Sequence, residues 1–145
     1  MRRSLGQPFR FVELANDVNE HMPDYVVSRI GLALNRERRS INGSRVLLLG
    51  LAYKRNTGDA RESPGMVIAD LLLGLGADVR AVDPHVAPDA TGLSLVELTE
   101  DEVASADVVV VVTDHDVFDY DLIADHARYV FDTRNRIRGP RVESL

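Results

Sequence analysis

The sequence predicts an α/β chain, an open parallel sheet with flanking helices preceded by a long N-terminal helix. Three observations carry that expectation. After residue 43, short Val- and Leu-rich runs alternate with stretches of helical spacing, the pattern of a parallel sheet joined by helices. The runs are apolar almost without interruption, as in strands covered on both faces. The first 36 residues instead carry apolar side chains at helical spacing.

Taken in order, Phe11, Leu14, Ala15, Val18 and Met22 mark one helix face, and Val26, Val27, Ile30, Ala33 and Leu34 continue a similar stripe. Pro23 removes a backbone donor and crowds the preceding turn, so a kink or brief break is expected there. Unbroken, roughly 27 residues would make a rod of about 40 Å, too long to bury its stripe on one small domain. The exposed stripe predicts a homodimer through residues 9–36. A basic, loop-like linker follows from Asn35 to Gly43. Strands are expected at Arg45 to Tyr53, Asp78 to Asp83, Asp107 to Thr113 and Arg128 to Asp132. Between the first two, Ser63 and Pro64 supply a capping hydroxyl and a first-turn proline; Ile68, Leu71, Leu72 and Leu75 form the buried stripe, and Gly74 and Gly76 end the helix. Shorter helices are expected around Ser94 to Ser105 and Tyr120 to His126.

With 145 residues, 45% of them hydrophobic, the chain has the size of one domain plus an appendage. The expected division is a helical segment, 1–39, and an α/β domain, 40–145. The net charge of −6 speaks against nucleic acid or an anionic membrane as partner. No apolar stretch is long enough for a bilayer and no apolar segment follows Met1, so the expected location is cytoplasmic. Zero cysteines exclude a disulfide, a thiolate metal site or a cysteine nucleophile supplied by these residues. Sixteen of the 17 basic residues are arginine; the one lysine is Lys54. It is either a survivor of an Arg-rich composition or a position that needs a compact point charge.

In an open parallel sheet, ligands bind beyond the carboxyl ends of the strands. Three polar clusters fall there: Gly50 to Lys54 with the loop 58-GDARESP-64, Thr113 to Asp116, and Asp132 to Arg136. The dinucleotide fingerprint G-x-G-x-x-G is missing, because the turn after the first strand offers Gly50 alone and a loop of about ten residues. Lys54, Arg55 and Arg61 precede the Ser63-capped helix, whose N-terminus favours an anion. Two readings stand side by side: a phosphate or diphosphate site, or ion pairs of Lys54 and Arg61 with Asp59 and Glu62. Asp114-His115-Asp116 has the D-x-D form of a metal-dependent glycosyltransferase. With 15 aspartates in the chain such a pair arises by chance. His21, His85, His115 and His126 lack zinc-ligand spacing and read as solvated or capping side chains, so no metal is expected.

The run 50-GLAYKRNTGDARESP-64, a following helix, 83-DP-84 and 131-FDTRNR-136 together resemble the UDP-binding C-terminal domain of the UDP-glucose/GDP-mannose dehydrogenase family. The stretch 15-ANDVNEHMPDYVV-27 resembles the end of its central dimerisation helix, in the form of the branch acting on UDP-N-acetyl-hexosamines. The resemblance runs from about Phe9 to Arg138 and implies a Rossmann-like fold. It implies that Tyr53, Lys54 and Arg134 bind a UDP-sugar, and that Arg61 reaches NAD held mainly by an N-terminal domain these residues do not include. Asn19 falls on a central-helix asparagine of the family, and Arg10 has no assigned role. Whole enzymes of the family oxidise the sugar C6 alcohol to a carboxylate in two steps, with NAD and a catalytic cysteine. Lacking both parts, the isolated chain is expected to be inactive. The alternative is a nucleotide-binding or dimerisation module without a dehydrogenase partner.

Overall fold

The computed structural model describes residues 22–52, 60, 63–87 and 92–144. Helix α1 covers 22–36. There follow β1 (Arg45–Leu49), α2 (Pro64–Gly74), β2 (Asp78–Val82), β3 (Ser94–Leu95), α3 (Glu100–Ser105), β4 (Val108–Val111), α4 (Tyr120–His126), β5 (Val130–Asp132) and β6 (Val142–Ser144). The strands form one sheet in the order β3-β2-β1-β4-β5-β6, and every pairing is parallel. This is a Rossmann-like, doubly wound sheet, as expected.

Alternation along the strands builds two cores. Val46, Leu48, Val108, Val110 and Phe131 meet α1 and α2 on one face. Leu47, Leu49, Val109, Val111 and Val130 meet α3 and α4 on the other. Successive strand side chains point to opposite faces, so only an uninterrupted apolar run supplies both sides.

Several boundaries differ from expectation. The first strand stops at Leu49 rather than Tyr53, because Gly50 turns the chain at φ +92°. A Cβ at Gly50 would stand 2.4 Å from the Thr113 carbonyl oxygen, so only glycine permits the approach. The expected helix from Ser94 begins instead as the edge strand β3; α3 starts at Glu100, where the Thr99 hydroxyl accepts the Glu102 N–H at 3.1 Å. β6 was not expected at all. α2 begins at Pro64 with Ser63 as its cap, as the sequence predicts, though Leu75 lies past its end and is half exposed. α4 matches its expected span, capped by Asp119.

The greatest correction concerns α1. Val26, Val27, Ile30 and Leu34 are buried in the same core as β1 and β4, so this half of the stripe is covered by the chain's own sheet rather than awaiting another surface. Arg29 ties the helix to β6 through Nε to Glu143 Oε2 at 2.6 Å. Residues Phe11 to Val18 lie outside the described residues. Pro23 sits in the first described turn of α1, and the backbone it would crowd lies upstream of that turn.

Candidate functional site

All six strands point their carboxyl ends at one rim, and two buried aspartates organise it. Asp83 follows β2 and is 4% exposed. Its Oδ2 accepts the N–H groups of Leu51 at 2.7 Å and Ala52 at 2.9 Å, and meets His115 Nε2 at 2.9 Å. Its Oδ1 accepts the His85 N–H at 3.0 Å. Burial works to raise the Asp83 pKa, but the bonds from His115, Leu51, Ala52 and His85 outweigh it and hold the carboxyl below its usual range. An ionised carboxylate only accepts, so His115 Nε2 carries the shared proton.

The carbonyls of the same turn are also bound. Leu51 O accepts the Ser63 hydroxyl at 2.5 Å and Ala52 O accepts the Thr113 hydroxyl at 2.6 Å. Ser63 in turn accepts the Met66 N–H at 3.3 Å as the cap of α2. A Cβ on Gly65 would lie 3.0 Å from Gly50 O, so α2 starts hard against the turn. Ala52 and Ser63, which flank Tyr53, Lys54 and Arg61 in the sequence, are therefore both held.

The second hub is Asp132, at the end of β5 and fully buried. Its Oδ1 accepts Arg134 N–H at 2.8 Å; its Oδ2 accepts Arg136 N–H at 2.5 Å and Ile137 N–H at 2.7 Å. Asn135 takes the left-handed conformation (φ 59°) between them. This winding presents two arginines at the rim. Arg134 donates Nε to the Val112 carbonyl at 2.9 Å. Arg136 donates Nη1 to Asp114 Oδ2 at 2.9 Å and lies 4.5 Å from the centroid of the Tyr120 ring, a cation over an aromatic face.

Of the expected site residues, Arg134 is placed at the rim, beside the ends of β4 and β5. Tyr53, Lys54 and Arg61 lie outside the described residues, as do Arg10, Asn19 and His21. His115, expected to be a solvated or capping side chain, is instead fully buried against Asp83. The carboxylate of Asp114 carries Arg136, and among the described residues no three metal-ligating side chains gather. Neither aspartate hub, nor the Arg136–Tyr120 contact, was read from the sequence as such. The usable signal was an aspartate directly after Val82 and another after Phe131, each closing an apolar run where a strand meets the rim.

A cavity of about 490 Å³ opens at this same end, lined by Val82, Asp83, Val86, Leu95, Leu98 and Phe118 among others. Another, about 400 Å³, lies at the opposite edge of the sheet beside Arg36, Arg39, Arg128 and Arg141. There, Arg39 and Arg128 pair with Asp107 at 2.8 and 3.4 Å, and Arg36 with Glu143 at 3.6 Å. These guanidiniums neutralise acids of the same edge, so the carboxyl rim is the better candidate.

Among the described residues, the turn after β1 does not offer the usual dinucleotide cradle. In that fold a glycine-rich turn aims free N–H groups at the pyrophosphate and an acidic side chain after the second strand takes the ribose. Here the Leu51 and Ala52 N–H groups go to Asp83, and that carboxylate is buried and engaged on both oxygens. Among the described residues, the groups that would cradle NAD at this turn are already engaged.

The sheet order and the polar rim define a doubly wound α/β domain, a class whose ligands bind beyond the carboxyl ends of the strands. Residues 47–139 match the UDP binding domain of the UDP-glucose/GDP-mannose dehydrogenase family, and the chain belongs to that family. A UDP-N-acetyl-D-mannosamine dehydrogenase of Methanococcus maripaludis is 36% identical over 135 residues, covering 87% of this chain and 30% of that protein. A UDP-glucose 6-dehydrogenase of Haloferax volcanii is 35% identical over 153 residues, covering 99% and 34%. The crystal structure of an NDP-N-acetyl-D-galactosaminuronic acid dehydrogenase from Methanosarcina mazei superposes with a TM-score of 0.77 at 29% identity, covering 91% of this chain and 30% of that one. The chain thus spans about a third of the length of the curated relatives it matches. No helix among the described residues is long and apolar enough to cross a membrane.

Proposed function

We propose that this chain is the UDP-sugar-binding part of an NAD-dependent nucleotide-sugar 6-dehydrogenase, gripping the diphosphate at the carboxyl rim with Tyr53, Lys54 and Arg134. The observation that carries the reading is Arg134. Its backbone is fixed by Asp132 and its Nε by the Val112 carbonyl, which leaves the forked end of an exposed guanidinium at the rim where the loop of Lys54 departs. Lys54 supplies a compact charge and Arg134 a planar fork, two complementary ways to hold phosphate oxygens. The diphosphate is remote from the sugar C6 where oxidation occurs, so its binding energy goes into positioning the sugar.

In this reading NAD and the reactive thiol are supplied from outside these residues. Arg61 reaches toward NAD, the faces of residues 9–36 that the chain's own sheet leaves uncovered, Tyr25 and Leu32 among them, pair with a second copy, and the segment 1–39 serves the α/β domain 40–145 as its dimerisation helix. The chain has no cysteine, and by itself it binds without oxidising. Calorimetric titration of the chain with UDP tests the clamp. Lys54→Ala and Arg134→Ala are each expected to weaken UDP binding by about 1–3 kcal/mol, the cost of a lost charged hydrogen bond. Equal affinity in parent and both variants overturns the assignment.

A further inference from the structure

His115 lies between the turn at Ala52 and the Asp132 hub that holds Arg134, and no role in binding follows for it from the residues the family resemblance assigns. On one side its Nε2 shares Asp83 Oδ2 with the N–H groups of Leu51 and Ala52, and Ala52 immediately precedes Tyr53 and Lys54. On the other side its carbonyl accepts the Tyr120 hydroxyl at 2.7 Å. The Tyr120 ring carries Arg136, and Arg136 and Arg134 both give their backbone N–H to Asp132. Contacts thus run unbroken from Ala52 to Arg134 through His115, beside a second route in which the Thr113 hydroxyl meets the Ala52 carbonyl and the adjoining Val112 carbonyl accepts Arg134 Nε.

The imidazole is fully buried and packs against Phe118 at 5.4 Å and His85 at 4.5 Å between ring centroids. Water does not screen its bond to Asp83, and a donor aimed at a buried carboxylate is strong and directional. We infer that His115 is a positioning residue that couples the Lys54 arm to the Arg134 arm of the clamp, so that the contribution of each arm depends on the His115–Asp83 bond. This inference rests on the UDP-binding reading above. A histidine that only filled core volume would affect the two arms independently.

Double-mutant cycles separate these cases. H115F keeps an aromatic ring but removes the donor; H115Q returns an amide donor near the Nε2 position. In UDP titrations of the full chain, H115F should weaken binding about tenfold and H115Q should restore most of it. The pairs H115F/K54A and H115F/R134A should each lose less than the product of their single losses. Unchanged affinity in H115F, no rescue by H115Q, or losses that simply multiply would overturn the coupling.

Amide exchange on the ligand-free chain keeps this failure distinct from a failure of the UDP reading. H115F should accelerate exchange at Ala52 and at Arg134 together, whether or not UDP binds. Acceleration at Ala52 alone overturns the inference. Should H115F not fold, Tyr120→Phe cuts the same chain on the Arg134 side, and faster exchange at both ends is again the expected result, faster exchange at one end the contrary one.

Discussion

The two edges of the sheet use carboxylates in opposite ways. At the carboxyl rim, Asp83 and Asp132 are buried and accept mainly backbone N–H groups: Leu51, Ala52 and His85 for the first, Arg134, Arg136 and Ile137 for the second. At the opposite edge, Asp107 and Glu143 mainly meet arginine side chains, among them Arg39 and Arg128 for Asp107 and Arg29 and Arg36 for Glu143. A carboxylate bound to main-chain donors dictates a loop's shape, because each donor fixes a peptide plane. One bound to exposed guanidiniums dictates little, since long side chains can rearrange. The rim is shaped by its charges; the other edge is chiefly neutralised by them, with Arg29 tying α1 to β6 and Asp107 holding the Arg45 N–H as the exceptions.

Breaking a hub should therefore cost most. Asp132→Ala strands three N–H groups in a buried site and is expected to destabilise the chain by about 3 kcal/mol or more, read as a shift in urea midpoint. A loss under about 1 kcal/mol would mean that solvent replaces the carboxylate readily.

Acid sharpens the contrast. The Asp83 carboxyl sits below its usual 3.8, so its contribution is complete above the unfolded value and disappears as pH falls through the lower folded one. Asp83→Asn should flatten this acid limb of the stability curve below about pH 4. Glu143 is also held low, burial opposing and the bonds from Tyr129 and Arg29 prevailing. It has the same sign, but its partner Arg36 is 62% exposed and solvent screens the pair. Glu143→Gln should alter the acid limb less than Asp83→Asn; the reverse order would break the comparison. The smallest effect belongs to Arg39→Ala, expected within about 0.5 kcal/mol because its pair with Asp107 is a surface one, checked by the same urea titration.

How much of this was legible follows from the length and locality of each signal. β1 and β4 announce themselves as uninterrupted Leu and Val runs, and Ser63-Pro64 marks the start of α2 within two residues. β3 and β6 span two and three residues at the sheet edges, too short to show a period, and they exist because neighbouring strands offer a ladder. The polar rim was legible too, since the polar residues that close the apolar strands all fall at one end of the sheet. The hubs were not: Asp83 and His115 are 32 positions apart, and nothing in either segment says that a histidine will be buried against an aspartate. The fate of Val26 to Leu34 was equally hidden, because an amphipathic stripe reads the same whether its own sheet or another chain covers it.

The chain contains no tryptophan and four tyrosines, and one of these, Tyr120, lies in the rim between the His115 carbonyl and Arg136. Burial, outweighing the neighbouring Arg136 charge, pushes its phenol up to about 12, so it stays protonated at any ordinary pH. No tryptophan masks its ultraviolet signal, which it shares with three other tyrosines, so a change at that ring is read without a dye as the difference between the parent chain and Tyr120→Phe.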